Sequence, residues 1–186
     1  MTTRPITGET WGDEIDGPRA FILSQAQKPF AELLPPFESA MQALRSELQG
    51  VSEAQAAFKP GRGDGEDDYS IAEVTRHMIN VIPMIGERIS SLGTGRDPLP
   101  AQGPGSLGVN EDAPLSTLTG LLETSRQTLL DAVASVDGKE QLEKTMPHRL
   151  FGELNCRGWL AMQALHAEDH ARQVGKIKAH ASYPKA

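Results

Sequence analysis

The chain has 186 residues, 38% of them hydrophobic and 23% charged, a length that suits one domain and a composition that excludes a disordered tail or a membrane-embedded protein. Acidic residues number 25 against 18 lysines and arginines, for a formal charge of −7, and no dense basic run offsets it, which argues against nucleic-acid or anionic-membrane partners. One cysteine, Cys156, excludes an intramolecular disulfide and a cysteine metal cluster; with no long apolar span and no apolar leader, a cytoplasmic protein is expected.

Residues 1–19 are polar and carry Pro5, Gly8, Gly12, Gly17 and Pro18, which predicts an N-terminal arm ahead of a domain over residues 20–180. Phe21, Ile22, Phe30, Leu33 and Leu34 then give helical apolar spacing, and Pro35-Pro36 predicts an interruption or kink. Phe37, Met41, Leu44 and Leu48 resume a clean stripe that ends near Gly50. The early apolar run exceeds what one short kinked helix can bury, so a homodimer is expected.

Residues 59–68 form a turn-rich acidic loop. Ser70 and Glu73 have capping-box spacing and start a second helix, with Ile71, Val74, Met78, Val81, Ile85, Ile89 and Leu92 along one face. Pro83 lies inside it and deprives the Ile79 carbonyl of its usual donor, which predicts a bend or bulge. Residues 93–114 make a long linker rich in glycine and proline, suited to crossing the end of a bundle. A third helix carries Leu115, Leu118, Leu122, Leu129, Ala132 and Val136 and ends at Asp137-Gly138. After a loop over 139–152, Asn155 caps a fourth helix whose inner stripe is Trp159, Met162, His166, His170, Gln173 and Ile177. No alternating β-run of useful length is present. Four amphipathic helices in one small domain predict an all-α four-helix bundle.

His166 and His170 stand at i and i+4 on that inner stripe, where both imidazoles can reach one metal ion. The alternative is a solvated or hydrogen-bonded histidine pair at a bundle end. His77 lies between Val74 and Val81 and also faces inward; alone it reads as a satisfied core histidine, but three inward histidines from two helices can close three corners of a tetrahedral site. His148, in the loop before the fourth helix, reads as a rim ligand, a substrate contact or a packing residue. Glu73 could fix an imidazole tautomer, although its capping box already accounts for it. Asn80 and Gln173 are candidates to line the pocket.

Two separated segments carry a resemblance. The run Tyr69-Ser70-Ile71-Ala72-Glu73-Val74-Thr75-Arg76-His77 and the run from His148 through Phe151-Gly152-Glu153-Leu154-Asn155, Trp159-Leu160, His166, His170 and Gln173-Val174 resemble the opening and closing motifs of the DinB/YfiT-like superfamily. The link from Leu48 to Pro60 is also similar, so the resemblance spans roughly residues 36–177. It departs from the pattern at Tyr69, where tryptophan is usual, at Arg149, where proline is common, and at Gly158, where an acid is frequent. It implies an up-down-down-up bundle, with 93–114 as the long crossover between helices 2 and 3, and one divalent metal ion on His77, His166 and His170.

Three neutral imidazoles leave a divalent ion at full charge with an open position, the catalytic pattern for zinc; nickel, iron or manganese also suit nitrogen donors. The open position could activate a water for hydrolysis or a thiol for transfer to an electrophile. Superfamily members include low-molecular-weight-thiol transferases and a thiol-dependent isomerase, so the resemblance implies a small-molecule substrate and a thiol-dependent transferase. A metal-dependent hydrolase and a non-catalytic metal-binding stress or interaction protein are the alternatives. An enzyme needs an open cleft at the metal, whereas a binding module could fill the fourth position with a side chain such as His148.

Overall fold

The computed structural model describes residues 15–61, 65–99 and 110–185. The elements are α1 (Asp16–Gln25), α2 (Phe30–Leu48), α3 (Glu53–Ala56), a 3₁₀ turn (Gly65–Asp68), α4 (Ile71–Gly93), α5 (Leu115–Val136), β1 (Met146–His148), β2 (Gly152–Leu154) and α6 (Cys156–Lys178). Of the expected arm, residues 1–14 lie outside the described residues, and Asp16 to Arg19 already belong to α1. Residues 100–109 of the crossover lie outside them too.

Side-chain contacts fix the direction of each bundle helix. Arg76, near the start of α4, bonds the carbonyls of Asn110 and Glu111 just before α5, and Gly93 at the end of α4 abuts Val136 at the end of α5. These two helices therefore run parallel. Asn155 at the head of α6 reaches the Ala26 carbonyl ahead of α2, and Lys178 at its foot bonds the Glu47 carbonyl, so α2 and α6 are parallel as well. Arg126 pairs with Glu38 and Arg45 with Glu123, which sets α5 antiparallel to α2. The result is the up-down-down-up bundle, with 94–114 crossing between the parallel α4 and α5.

Local chemistry accounts for the boundaries. Ser70 and Glu73 form the capping box reciprocally, at 3.2 and 2.8 Å, and Asn155 Oδ1 accepts from the Gly158 amide at 2.9 Å, satisfying orphan donors of the first turn. The chain breaks at residues 26–29 rather than at Pro35-Pro36, which both lie inside α2. The carbonyls those prolines leave unpaired belong to Ala31 and Glu32, on the solvent face, where water can serve them. Of the run that predicts a homodimer, Ile22, Phe30 and Leu33 are buried in the chain's own core, Leu34 is half-buried and Phe21 is exposed. Residues 146–154 also differ from expectation. They form a short antiparallel hairpin, with Met146 opposite Leu154 and His148 opposite Gly152, and Gly152 takes the positive φ that closes it. Gly158 sits where a Cβ would meet Leu154 and Ala26 at 3.2–3.3 Å, so its role is close packing at the head of α6.

Pro83 leaves α4 unbroken. The Ile79 carbonyl that it deprives accepts instead from the buried Ser125 hydroxyl of α5, at 3.0 Å. A buried acceptor left without a donor costs about 1–3 kcal/mol. Ser125→Ala is therefore expected to lower the melting temperature by several degrees, and Pro83→Ala, which restores a backbone donor, should shrink that loss. Equal losses in the two backgrounds would disprove this pairing.

Candidate metal centre

The antiparallel pairing of α4 and α6 sets His77 across from the two histidines of α6. His77 Nε2 lies 3.1 Å from His166 Nε2, and His170 Nε2 lies 2.9 Å from the same atom. His77 and His170 are buried and His166 is half-buried. Three nitrogens bound at about 2.0–2.1 Å around a tetrahedral ion would stand about 3.3 Å from one another, close to these separations.

The outer nitrogens show why the inner ones converge. His170 Nδ1 lies 2.7 Å from Gln173 Oε1, and the Gln173 amine donates to the Glu66 carbonyl, which fixes the amide's orientation. His166 Nδ1 faces Gln163 Oε1 at 3.4 Å. An imidazole that donates from Nδ1 carries a bare lone pair on Nε2. Lone pairs that converge at about 3 Å repel unless a cation lies among them, so the donor set fits a divalent ion. Burial, together with the other two rings, holds His166 well below the ordinary imidazole range. Burial and His77 bring His170 down to about 4, and burial also lowers His77. Neutral rings are the form that binds a metal.

Glu66, exposed on the 3₁₀ turn, brings a carboxylate oxygen into the same group, all four ligand atoms lying within 4.8 Å of one another. This acid belongs to the loop read from sequence only as turn-rich. Gln163 was likewise not singled out; its spacing of three residues from His166 mirrors that of Gln173 from His170 and is the signal that would have found it.

The remaining sequence candidates divide. Gln173 orients His170, as described. Glu73 is engaged by its capping box and by Lys59 at 2.9 Å, away from the histidines. Asn80 is half-buried and does not line the adjoining cavity. His148 does line it, but is not one of the four grouped donors. Its Nδ1 accepts from the amides of Leu150 and Phe151 at 3.2 and 3.4 Å, which places its proton on Nε2, and burial with Arg88 and Arg149 nearby lowers it to about 4. Cys156 is buried, its thiol pushed up to about 11 by that burial, and is chemically inert.

His166 and His170 open onto a cavity of about 720 Å³. Its wall on α6 holds the whole stripe identified in the sequence, Trp159, Met162, His166, His170, Gln173 and Ile177, together with Asp169 and Lys176. Leu160, Ala167 and Val174, on the rest of α6, are wholly buried in the core.

Comparison with known proteins gives the same architecture. The DinB superfamily model matches residues 37–174, and the chain belongs to that superfamily. It is 27% identical over 150 residues to the uncharacterised protein YuaE of Bacillus subtilis (strain 168), a match covering 72% of this chain and 89% of YuaE. It superposes on the crystal structure of TT2238, a four-helix bundle protein, with a TM-score of 0.59 at 24% identity, covering 78% of this chain and 96% of that one. Among the described residues no helix is long and apolar enough to cross a membrane.

The depressed imidazoles make a pH dependence. A group whose folded pKa lies below its unfolded value binds fewer protons when folded, so stability rises with pH between the two values. For His170 the window runs from the ordinary 6.5 down to about 4. Chelator-treated protein should therefore lose thermal stability as pH falls through that window. The His77→Ala, His170→Ala variant should show a shallower fall, and an unchanged slope would refute this assignment.

Proposed function

We propose that this chain is a metal-dependent enzyme that uses His77, His166 and His170 to hold one divalent ion, zinc in the first instance, and activates a small-molecule thiol for transfer to an electrophile. The observation that carries this reading is the convergence of three imidazole Nε2 atoms, two of them on rings that line an open cavity. A divalent ion bound there supplies a Lewis-acid charge that lowers the pKa of a coordinated thiol or water.

The chain's own residues supply the rest. Gln163 and Gln173 hold two of the rings in the tautomer that presents Nε2. The Glu66 carboxylate, exposed beside the ring nitrogens, is placed to take the proton that an incoming thiol loses. Trp159, Met162 and Ile177 form an apolar wall that keeps bulk water from a bound organic substrate. His148 is held by the hairpin backbone and does not close the site; the exposed Glu66 is the side chain that could occupy the fourth position, and the adjoining cavity is what favours an enzyme over a non-catalytic binding module.

Protein purified without an affinity tag is expected to carry about one divalent ion per chain by elemental analysis. His166→Ala, His170→Ala should abolish it, and full occupancy in that variant would place the site elsewhere. Chelation should lower the melting temperature of wild type by several degrees, in line with about 4 kcal/mol of linkage at a thousandfold excess over Kd, and leave His77→Ala nearly unmoved. Equal shifts in the two proteins would remove His77 from the ligand set.

For activity, metal-loaded protein is incubated with a panel of small thiols and electrophiles, and adducts are followed by mass. Acceleration over the uncatalysed rate, lost in His170→Ala and reduced about 10²–10⁴-fold in Glu66→Gln, is the expected result. Acceleration of ester or amide hydrolysis with no thiol adduct would identify a hydrolase instead.

A further inference from the structure

Arg88 lines the cavity and has no part in the metal reading. It projects from α4 three turns beyond His77 and is 8% exposed. Its guanidinium lies over the Trp159 ring, 4.4 Å from the centroid. Stacking on a ring face leaves the in-plane N–H donors unused, and Nε is buried without an acceptor. No acid pairs with it among the described residues. Its neighbour Glu87 is engaged by the Ser91 hydroxyl and the Leu99 amide instead.

Glu87 acts on Arg88 only through its charge, without bonding it; a buried cation with no bonded acid is expensive, and replacing it by an apolar residue of similar volume is often neutral or stabilising. A guanidinium retained in this state fits a partner that arrives from outside and brings the charge. Two neighbours support an anion at this end. His148, which packs against Trp159 with ring centroids 5.4 Å apart, carries its proton on Nε2 and is a donor. Arg149, exposed on the hairpin turn, adds positive charge at the rim. Glu66, Asp67, Asp169 and Lys176 line the cavity too, and Glu66 belongs to the histidine group rather than to Arg88.

We propose that Arg88 is a substrate-anchoring residue that binds the carboxylate of an organic acid whose other end reaches the histidine centre, with the His148 Nε2–H as a second donor. The planar guanidinium fork matches a carboxylate. Trp159 and His166 are seven residues apart on α6, so the two ends of the ligand lie roughly 10 Å apart along the helix. The identity of the opposite end rests on the metal-and-thiol reading; the carboxylate end does not.

The test uses cobalt(II)-loaded protein titrated with 6-mercaptohexanoate and with 6-mercaptohexanol, read by the sulfur-to-cobalt charge-transfer absorption. The acid is expected to bind at least about tenfold tighter than the alcohol, as charge-assisted hydrogen bonds imply. Arg88→Met should remove that preference without changing the affinity for the alcohol, and Arg88→Lys should keep part of it. Arg88→Met should also melt at or above the wild-type temperature. Equal affinities in wild type, or an undiminished preference in Arg88→Met, overturn the proposal. A loss of several degrees in Arg88→Met also overturns it, by making the side chain a structural anchor. If neither thiol gives the absorption band, the thiol reading fails, and calorimetry with hexanoate against hexanol then tests Arg88 alone. Preferential binding of hexanoate that Arg88→Met abolishes supports the anchor, and its absence in wild type refutes it.

Discussion

The register of α4 against α6 is the constraint on which the site depends. Antiparallel packing sets His77 against His166 and His170 at one level and Arg88 against Trp159 two to three turns away. A shift of one residue along either helix would rotate a ligand by about 100° out of the group. The parallel α4–α5 pair helps to hold that register. Gly86 and Gly93 let the helices approach so closely that an added Cβ would meet Leu129 at 3.3 Å and Val136 at 2.9 Å. The Ser125 hydroxyl pins α5 to the Ile79 carbonyl two residues from His77.

Much of this was legible from residues alone, because it rests on local rules. The capping box at Ser70 and the Asn155 cap follow from hydrogen-bond chemistry within one turn, and the extent of α5 from its apolar spacing and the Asp137-Gly138 stop. The wall of α6 was visible as a stripe of period 3.6, although periodicity could not say whether that stripe meets side chains or a cavity. What escaped depends on contacts distant in sequence. Glu66 reaches the histidines through a turn whose path no pattern encodes. Arg88 sits among apolar residues on α4 and gave no sign that it lacks a counter-ion. The hairpin escaped because three-residue strands are too short to alternate visibly. Pro35-Pro36 misled because proline's missing N–H and steric clash disfavour a helix interior, whereas these two stand early in α2, where the freed carbonyls of Ala31 and Glu32 face water.

One consequence lies in the amide of Gln173. It has a carbonyl at one end, facing His170, and an amine at the other, bound to the main chain of Glu66. An amide has a direction and cannot reverse at one end only. If the turn bearing Glu66 withdrew its carbonyl, the amide would be free to rotate and offer its amine to His170 instead. The ring would then keep its outer lone pair and carry its proton on the inner nitrogen, pointed at the other two rings of the group. The main chain of one short turn therefore acts as a latch on the chemical polarity of a ring more than a hundred residues away in the sequence.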